Sequence, residues 1–254
     1  MKEQTIQIAP LSIPWQTEDP FLVAMHHLDY YPEGNEQMGL ETSKLQGRNV
    51  GQDFTGKDGY SMYHGSTVPG FPYHPHLGFE TVTIGKQGYV DHSDSLGGAG
   101  RFGAGDLQWM TAGKGIQHSE MFPLLNPDQP NTLEIFQIWI NLPSRSKFVE
   151  PYYKMLWKED IPKIVERDND GKKTQIEVYA GAYKSRQAPQ PTPNSWAANP
   201  ENGVAILSVK MEANAQWKLP ATANNLINST LYFYKGNAID IEGGNVKVNH
   251  LIRV

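Results

Sequence analysis

Hydrophobic and polar positions alternate along this chain with a period of two, over short runs closed by Gly, Pro, Asn or Asp. The runs predict strands at Phe21–Tyr30, Phe79–Ile84, Tyr89–His92, Gly105–Thr111 and Ile116–Met121. Leu133–Leu142 is longer, apolar and β-branched, and is expected to lie centrally in a sheet. Gln175–Gly181 follows as a further strand. A second strand-rich region opens near Gly203, with Val204–Met211, Gln216–Leu219, Ser229–Tyr234, Ala238–Glu242 and Val246–Ile252. Ile164–Asp170 reads as a weak helix or turn. Many short strands between regular turns predict an all-β sandwich or barrel. Met1–Pro20 reads as an arm or edge strand, Pro143–Ile161 as a segment leaving the barrel, and Pro189–Pro200 as an irregular crossing.

A weak internal repeat divides the chain. Ile84-Gly85-Lys86-Gln87-Gly88-Tyr89-Val90 resembles Phe233-Tyr234-Lys235-Gly236-Asn237-Ala238-Ile239, and Gly97-Gly98 then falls opposite Gly243-Gly244. The second half therefore reads as another barrel, without paired histidines. It reaches Val254 before equivalents of the first barrel's closing strands, so it is expected to be incomplete, with unpaired edges that seek a partner. The expected organisation is a first barrel over 1–145 with an insertion at about 33–69, crossing strands and linker over 146–202, and a partial second barrel over 203–254.

Composition narrows the class. The 254 residues are 39% hydrophobic and include 24 Gly and 18 Pro, which fits a turn-rich chain with a real core. A net charge of −5 argues against direct nucleic-acid binding. With no cysteine there are neither disulfides nor thiolate metal ligands. No apolar run approaches the ~18 residues of a membrane span, and the opening MKEQTIQIAPL lacks the apolar stretch of a signal peptide. A cytoplasmic protein without a membrane partner is the expectation.

Two short motifs carry the candidate chemistry: His74-Pro75-His76 and His118-Ser119-Glu120. In an extended chain, residues i and i+2 share a face, and Pro75 keeps the residue before it out of the helical region. Two such pairs converging inside a barrel supply three imidazoles and a carboxylate. That set suits iron, manganese, copper, nickel or zinc, rather than magnesium or calcium with their all-oxygen shells. On an octahedral ion it leaves two open positions. Glu80 has the parity to face His74 and His76, and competes with Glu120 for the carboxylate role.

Other residues are weighed against plainer roles. Glu33–Pro69 is polar and Gly-rich and leads into the first histidine pair, which makes it a lid or a mobile surface loop. His92 reads as structural, and His26, His27, His64 and His250 show no partner pattern. Trp109 and Met110 read as core, with Trp109 also a candidate pocket residue. Phe71, Phe79, Met121 and Phe136 are core residues or the walls of a pocket for a flat aromatic ligand.

The run HPHLGFETVT, then DSLG, then GDLQWMTAGKGIQHSEM, resembles the pirin family, a branch of the cupin superfamily. Asp19-Pro20-Phe21-Leu22 and Glu150-Pro151-Tyr152 followed by Ile161-Pro162 extend the resemblance from Glu18 to Val254. It implies a bicupin: two double-stranded β-helix barrels, the second incomplete. It implies one divalent first-row metal ion, Fe(II) first, with manganese, copper, nickel and zinc as alternatives. It implies His74, His76, His118 and Glu120 as the metal ligands, with Glu120 preferred over Glu80. Where the family usually has Arg after the second His, this chain has Leu77.

Some bacterial pirin-like proteins are dioxygenases that open flavonols. The resemblance therefore implies a quercetin 2,3-dioxygenase-like oxidoreductase that takes a small aromatic substrate and O2, with Glu120 as catalytic base. The alternative is a non-catalytic iron-dependent regulatory protein with a protein partner, as eukaryotic pirins are transcriptional co-regulators and some bacterial ones bind a metabolic enzyme.

Overall fold

The computed structural model describes residues 6–220 and 228–254, so the first five residues of the expected arm lie outside the described residues. β1 (Gln7–Pro10) and β2 (Phe21–Tyr31) precede a long connection. From it β3 (Gly70–His76) leads into β4 (Phe79–Gln87), β5 (Tyr89–Asp94), β6 (Ala99–Gly103), β7 (Leu107–Thr111), β8 (Ile116–Met121) and β9 (Asn131–Asn141). The crossing region holds β10 (Tyr152–Leu156), β11 (Lys163–Arg167), β12 (Lys173–Ala180), β13 (Ala182–Tyr183) and β14 (Arg186–Gln187). β15 (Ile206–Met211), β16 (Thr230–Phe233), β17 (Ala238–Ile241), β18 (Gly244–Lys247) and β19 (His250–Arg253) complete the order.

Two sheets face each other in the first barrel: β10-β7-β4-β9-β2 and β3-β8-β5-β6. The apolar β9 lies inside the first of these, paired on both sides. Period-two alternation sends β4 side chains two ways. Thr83 turns inward and reaches Glu120 on β8. Val82 and Ile84 turn outward and pack with Leu107, Trp109, Ile140, Leu156, Tyr179, Val204 and Ile206. The outer face of the sheet is thus a buried seam against the crossing region, not a solvated surface.

The connection from 33 to 69 is anchored in the core at its two ends, while most of 41–59 is exposed. Leu40, Tyr60, Met62 and Tyr63 are buried with Tyr31, Val90, Phe102, Leu133 and Ile135. The stretch is cross-linked by Arg48, whose guanidinium donates to Asp53 Oδ2 at 2.8 Å and to the Tyr60 carbonyl at 3.0 Å. A chain with too few apolar residues for a helix or strand can still bury four of them when polar side chains satisfy its backbone.

The repeat corresponds to shared topology. β7 pairs antiparallel with β4, and β19 pairs antiparallel with β16, with β5–β6 and β17–β18 between them. Each half also takes an outer strand from elsewhere in the chain. β10 adds to β7, and β1 adds to β19, so the N-terminal arm is an edge strand of the C-terminal sheet β1-β19-β16. A fourth sheet, β11-β12-β15, ties the crossing region to the start of the second half.

Three expected elements differ. Ile164–Asp170 is not helical: Lys163–Arg167 forms β11 against β12, and the Asp168 carboxylate then accepts the N–H groups of Asp170 and Lys172 to close a hairpin turn. Cross-strand pairing overrides the weak local preference. Gln216–Leu219 is no strand; Gln216 N–H donates to Asp168, and Trp217 Nε1 to the Tyr183 hydroxyl, so side chains satisfy it instead of a ladder. Val246–Ile252 is broken into β18 and β19 because Asn249 adopts a left-handed conformation with φ of 64°.

Candidate metal centre

β3 and β8 are neighbours, and their register places His74 directly opposite His118. The register shifts between Phe71 and His74, a bulge that turns both toward the interior. Gly70 makes the close approach possible, since a Cβ there would lie 2.5 Å from the Glu120 carbonyl oxygen. Gly78, at φ 76°, then reverses the chain from β3 into β4.

His74, His76 and His118 each present a ring nitrogen within 4.8 Å of the other two. His76 Nε2 and His118 Nε2 are 3.0 Å apart. A first-row ion holds imidazole nitrogen at about 2.0–2.1 Å, so two such ligands at right angles stand about 3 Å apart. The donor set therefore fits a divalent first-row ion. His74 Nδ1 donates to the Pro72 carbonyl at 2.8 Å, which leaves its Nε2 lone pair free. Burial, reinforced by the adjacent imidazoles, pushes His76 and His118 down to about 3, while Glu120 pulls His76 weakly upward and Asp94 does so for His118. Both are neutral at physiological pH, the form a ligand needs. His118 is fully buried and His74 half-buried, so the cluster meets solvent on the β3 side.

The carboxylates separate clearly. Glu120 is buried on the interior face of β8. Its Oε1 accepts from Thr83 at 2.9 Å and Gln108 at 3.2 Å, and its Oε2 from Gln137 at 3.2 Å. The structure thus gathers the three histidines, while Glu120 is not in that group and is held by its own hydrogen bonds to Thr83, Gln108 and Gln137. Glu80 does not face the histidines. It points into the outer seam, where Trp109, Thr111, Ser195 and the Trp196 backbone donate to it. The parity argument fails because β3 ends at His76 and the Gly78 turn starts a new strand in a different sheet.

The apolar walls are also redistributed. Phe79 and Trp139 flank His76 with ring centroids 5.0 and 5.4 Å away, and Phe71 lies 6.4 Å from His74. Phe136 is on the opposite face of β9, stacked on His26, and Trp109 is in the outer seam. Met121 alternates to the face opposite His118 and Glu120.

Two interior histidines escape a reading confined to the paired motifs. His92 Nδ1 lies 3.4 Å from His118 Nδ1, and its Nε2 lies 2.9 Å from Asp94 Oδ2. The signal was present, because His92 and Asp94 have the same i, i+2 spacing as the ligand pairs. His27 Nδ1 contacts the Tyr63 hydroxyl, Tyr63 donates to Asp29, and the buried His27 Nε2 has no partner among the described residues. Nothing local to His27 announces this, since Tyr63 comes from the long connection.

A β-barrel with inward imidazoles on adjacent strands is a cupin-type arrangement, and its three-histidine cluster suggests a divalent metal ion. The Pirin family model matches residues 35–140 of the chain. The chain is 41% identical over 149 residues to a pirin-like protein of Solanum lycopersicum, covering 52% of this chain and 50% of that one. It is 45% identical over 105 residues to human pirin, covering 41% and 34% respectively. A crystal structure of quercetin 2,3-dioxygenase from Acinetobacter baumannii aligns with a TM-score of 0.59 at 25% identity, over 92% of this chain and 67% of that one. The chain spans half or less of the length of the curated relatives it matches first.

Proposed function

We propose that this chain is a metal-dependent dioxygenase acting on flavonol-like aromatic substrates. Its ion, Fe(II) first among the first-row candidates, would be held by His74, His76, His118 and Glu120. The observation that carries the reading is the convergence of three imidazoles, with the buried Glu120 carboxylate on the same strand face as His118. The similarity to a solved structure titled quercetin 2,3-dioxygenase supports the substrate class. The bound ion would lower the pKa of a substrate hydroxyl that reaches it and supply the redox chemistry with O2.

The chain's own groups do the rest. The buried rings of His76 and His118 keep water from the inner side, and the half-buried His74 edge is the entry. Phe79, Trp139 and Phe71 offer apolar faces to a flat ring. Thr83, Gln108 and Gln137 hold the Glu120 carboxylate ready to accept a hydroxyl proton, and release of one of these bonds lets it turn toward the imidazoles. The setting we propose is the cytoplasm, with no nucleic-acid partner.

Aerobic quercetin turnover by the iron-loaded protein tests the reading. Loss of flavonol absorbance with release of carbon monoxide is expected, and Glu120→Gln should lower the rate by about a hundredfold or more while keeping most of the metal. A fully iron-loaded protein that leaves quercetin intact would overturn the enzymatic reading in favour of an iron-dependent interaction protein.

A further inference from the structure

Asp94, His92 and His118 form a buried line that ends at the imidazole cluster. Asp94 Oδ1 accepts the N–H groups of Leu96 at 2.8 Å and Gly98 at 3.0 Å, and Asp94 Oδ2 faces His92 Nε2 at 2.9 Å. A carboxylate only accepts, so His92 Nε2 carries the proton. In the neutral ring the other nitrogen is then an acceptor. His92 Nδ1 is 3.4 Å from His118 Nδ1, so His118 donates there. Its Nε2 is left as a bare lone pair, aimed at His76 Nε2. Tyr153, brought in on β10, stacks on His92 at 4.3 Å and 10° and fixes the plane of that ring.

We propose that Asp94 and His92 are positioning residues that lock His118 in the one tautomer able to bind a metal ion. The line is directional: with a single proton on the His92 ring, each proton assignment follows from the acceptor-only end at Asp94. This inference rests on the metal-centre reading above, but its first consequence concerns the metal-free protein.

Asp94→Asn tests the direction with almost no change of shape. The Leu96 and Gly98 N–H groups require an oxygen, so the new NH2 must face His92 Nε2. A donor then stands where an acceptor stood, and every later proton reverses, which puts hydrogen on His118 Nε2. Long-range 15N–1H correlation spectra of the metal-free protein at pH 7.5 report the tautomer directly. Zn(II) and Fe(II) affinities, measured by competition with a chromophoric chelator, report its consequence.

The wild-type chain should show His118 protonated at Nδ1. Asp94→Asn should show it protonated at Nε2, with metal affinity down roughly 10–100-fold. His92→Phe, which keeps the stack on Tyr153 but removes both nitrogens, should also lose affinity. Wild-type His118 protonated at Nε2 overturns the proposal, as does a folded Asp94→Asn protein with unchanged tautomer and affinity. If Asp94→Asn does not fold, the wild-type spectrum and His92→Phe still decide. A wild-type chain with the expected tautomer that binds neither metal overturns the metal-centre reading instead.

Discussion

Glu80 shows how much one residue's surroundings decide. It is fully buried, and burial raises its pKa against the pull of four hydrogen bonds, from Thr111, Trp109, the Trp196 backbone and Ser195. Each oxygen takes one donor that can never accept: Trp109 Nε1 at 3.2 Å on one, the Trp196 N–H at 3.1 Å on the other. An amide nitrogen on either side would face an N–H. Glu80→Gln should therefore destabilise the fold by about 1–3 kcal/mol in urea unfolding and leave the metal content unchanged. Loss of the metal with stability intact would instead return Glu80 to the centre.

At the scale of elements, the 33–69 connection holds together around Arg48. Its side chain is fully buried, paired with Asp53 at 2.8 Å and lying over the Tyr60 ring at 3.7 Å. Removing one partner of a buried pair leaves a charge without compensation, at a cost of about 3–5 kcal/mol. Asp53→Ala should fall near the lower end, because the guanidinium keeps the Asp58 carboxylate at 3.3 Å and its Tyr60 and Lys57 carbonyl partners. The measurement is the denaturant midpoint, with the slope expected to hold. A change below about 0.5 kcal/mol, the range of ordinary surface substitutions, would mean that the stretch is a detachable surface loop after all. The bulge in β3 is the other decisive element. It turns Phe71 and His74 to the same side, which strict alternation over three residues would not.

At the scale of the molecule, strand exchange binds the two halves. β1 covers one edge of β19, and Glu18 pairs with Arg253 at 2.8 Å. Deleting residues 1–12 should expose that edge, lower the melting temperature and promote association, visible by size-exclusion chromatography. An unchanged, monodisperse protein would show that the edge needs no cover. The metal-free molecule should also lose stability in acid. His76 and His118 stand near 3 and His27 near 4, all below the ordinary 6.5 chiefly through burial. Between those values and 6.5 the unfolded chain takes up protons that the native state refuses, so stability present above 6.5 is lost as the pH falls. Asp29, raised to about 6 from 3.8 chiefly by burial, and Glu80, also raised by burial, work the other way over their own intervals. Three histidines outweigh two carboxyls, and urea midpoints of the chelator-treated protein should drop between pH 6.5 and 4. A flat or rising midpoint would show that the rings are solvated.

Period-two alternation, turn residues and the paired spacing of His74/His76 and His118/Glu120 are local properties. They survive in any extended chain, and so the strands, the all-β class and the candidate ligand set were legible in the sequence. The repeat is local in the same sense, and it matches the pairing of β16 with β19 to that of β4 with β7. Register, sheet membership and parity across a turn are not local. Only the tertiary structure sent Glu80 to the outer seam, buried Leu40, Tyr60, Met62 and Tyr63 of the 33–69 connection, and gave β1 to the C-terminal sheet. It alone brought His92 and Asp94 behind His118, because β5 pairs with β8 through contacts between strands more than twenty residues apart. Whether a side chain becomes ligand, support or core depends on which strand lies opposite, and that is set by the packing of the whole sheet rather than by its neighbours in the chain.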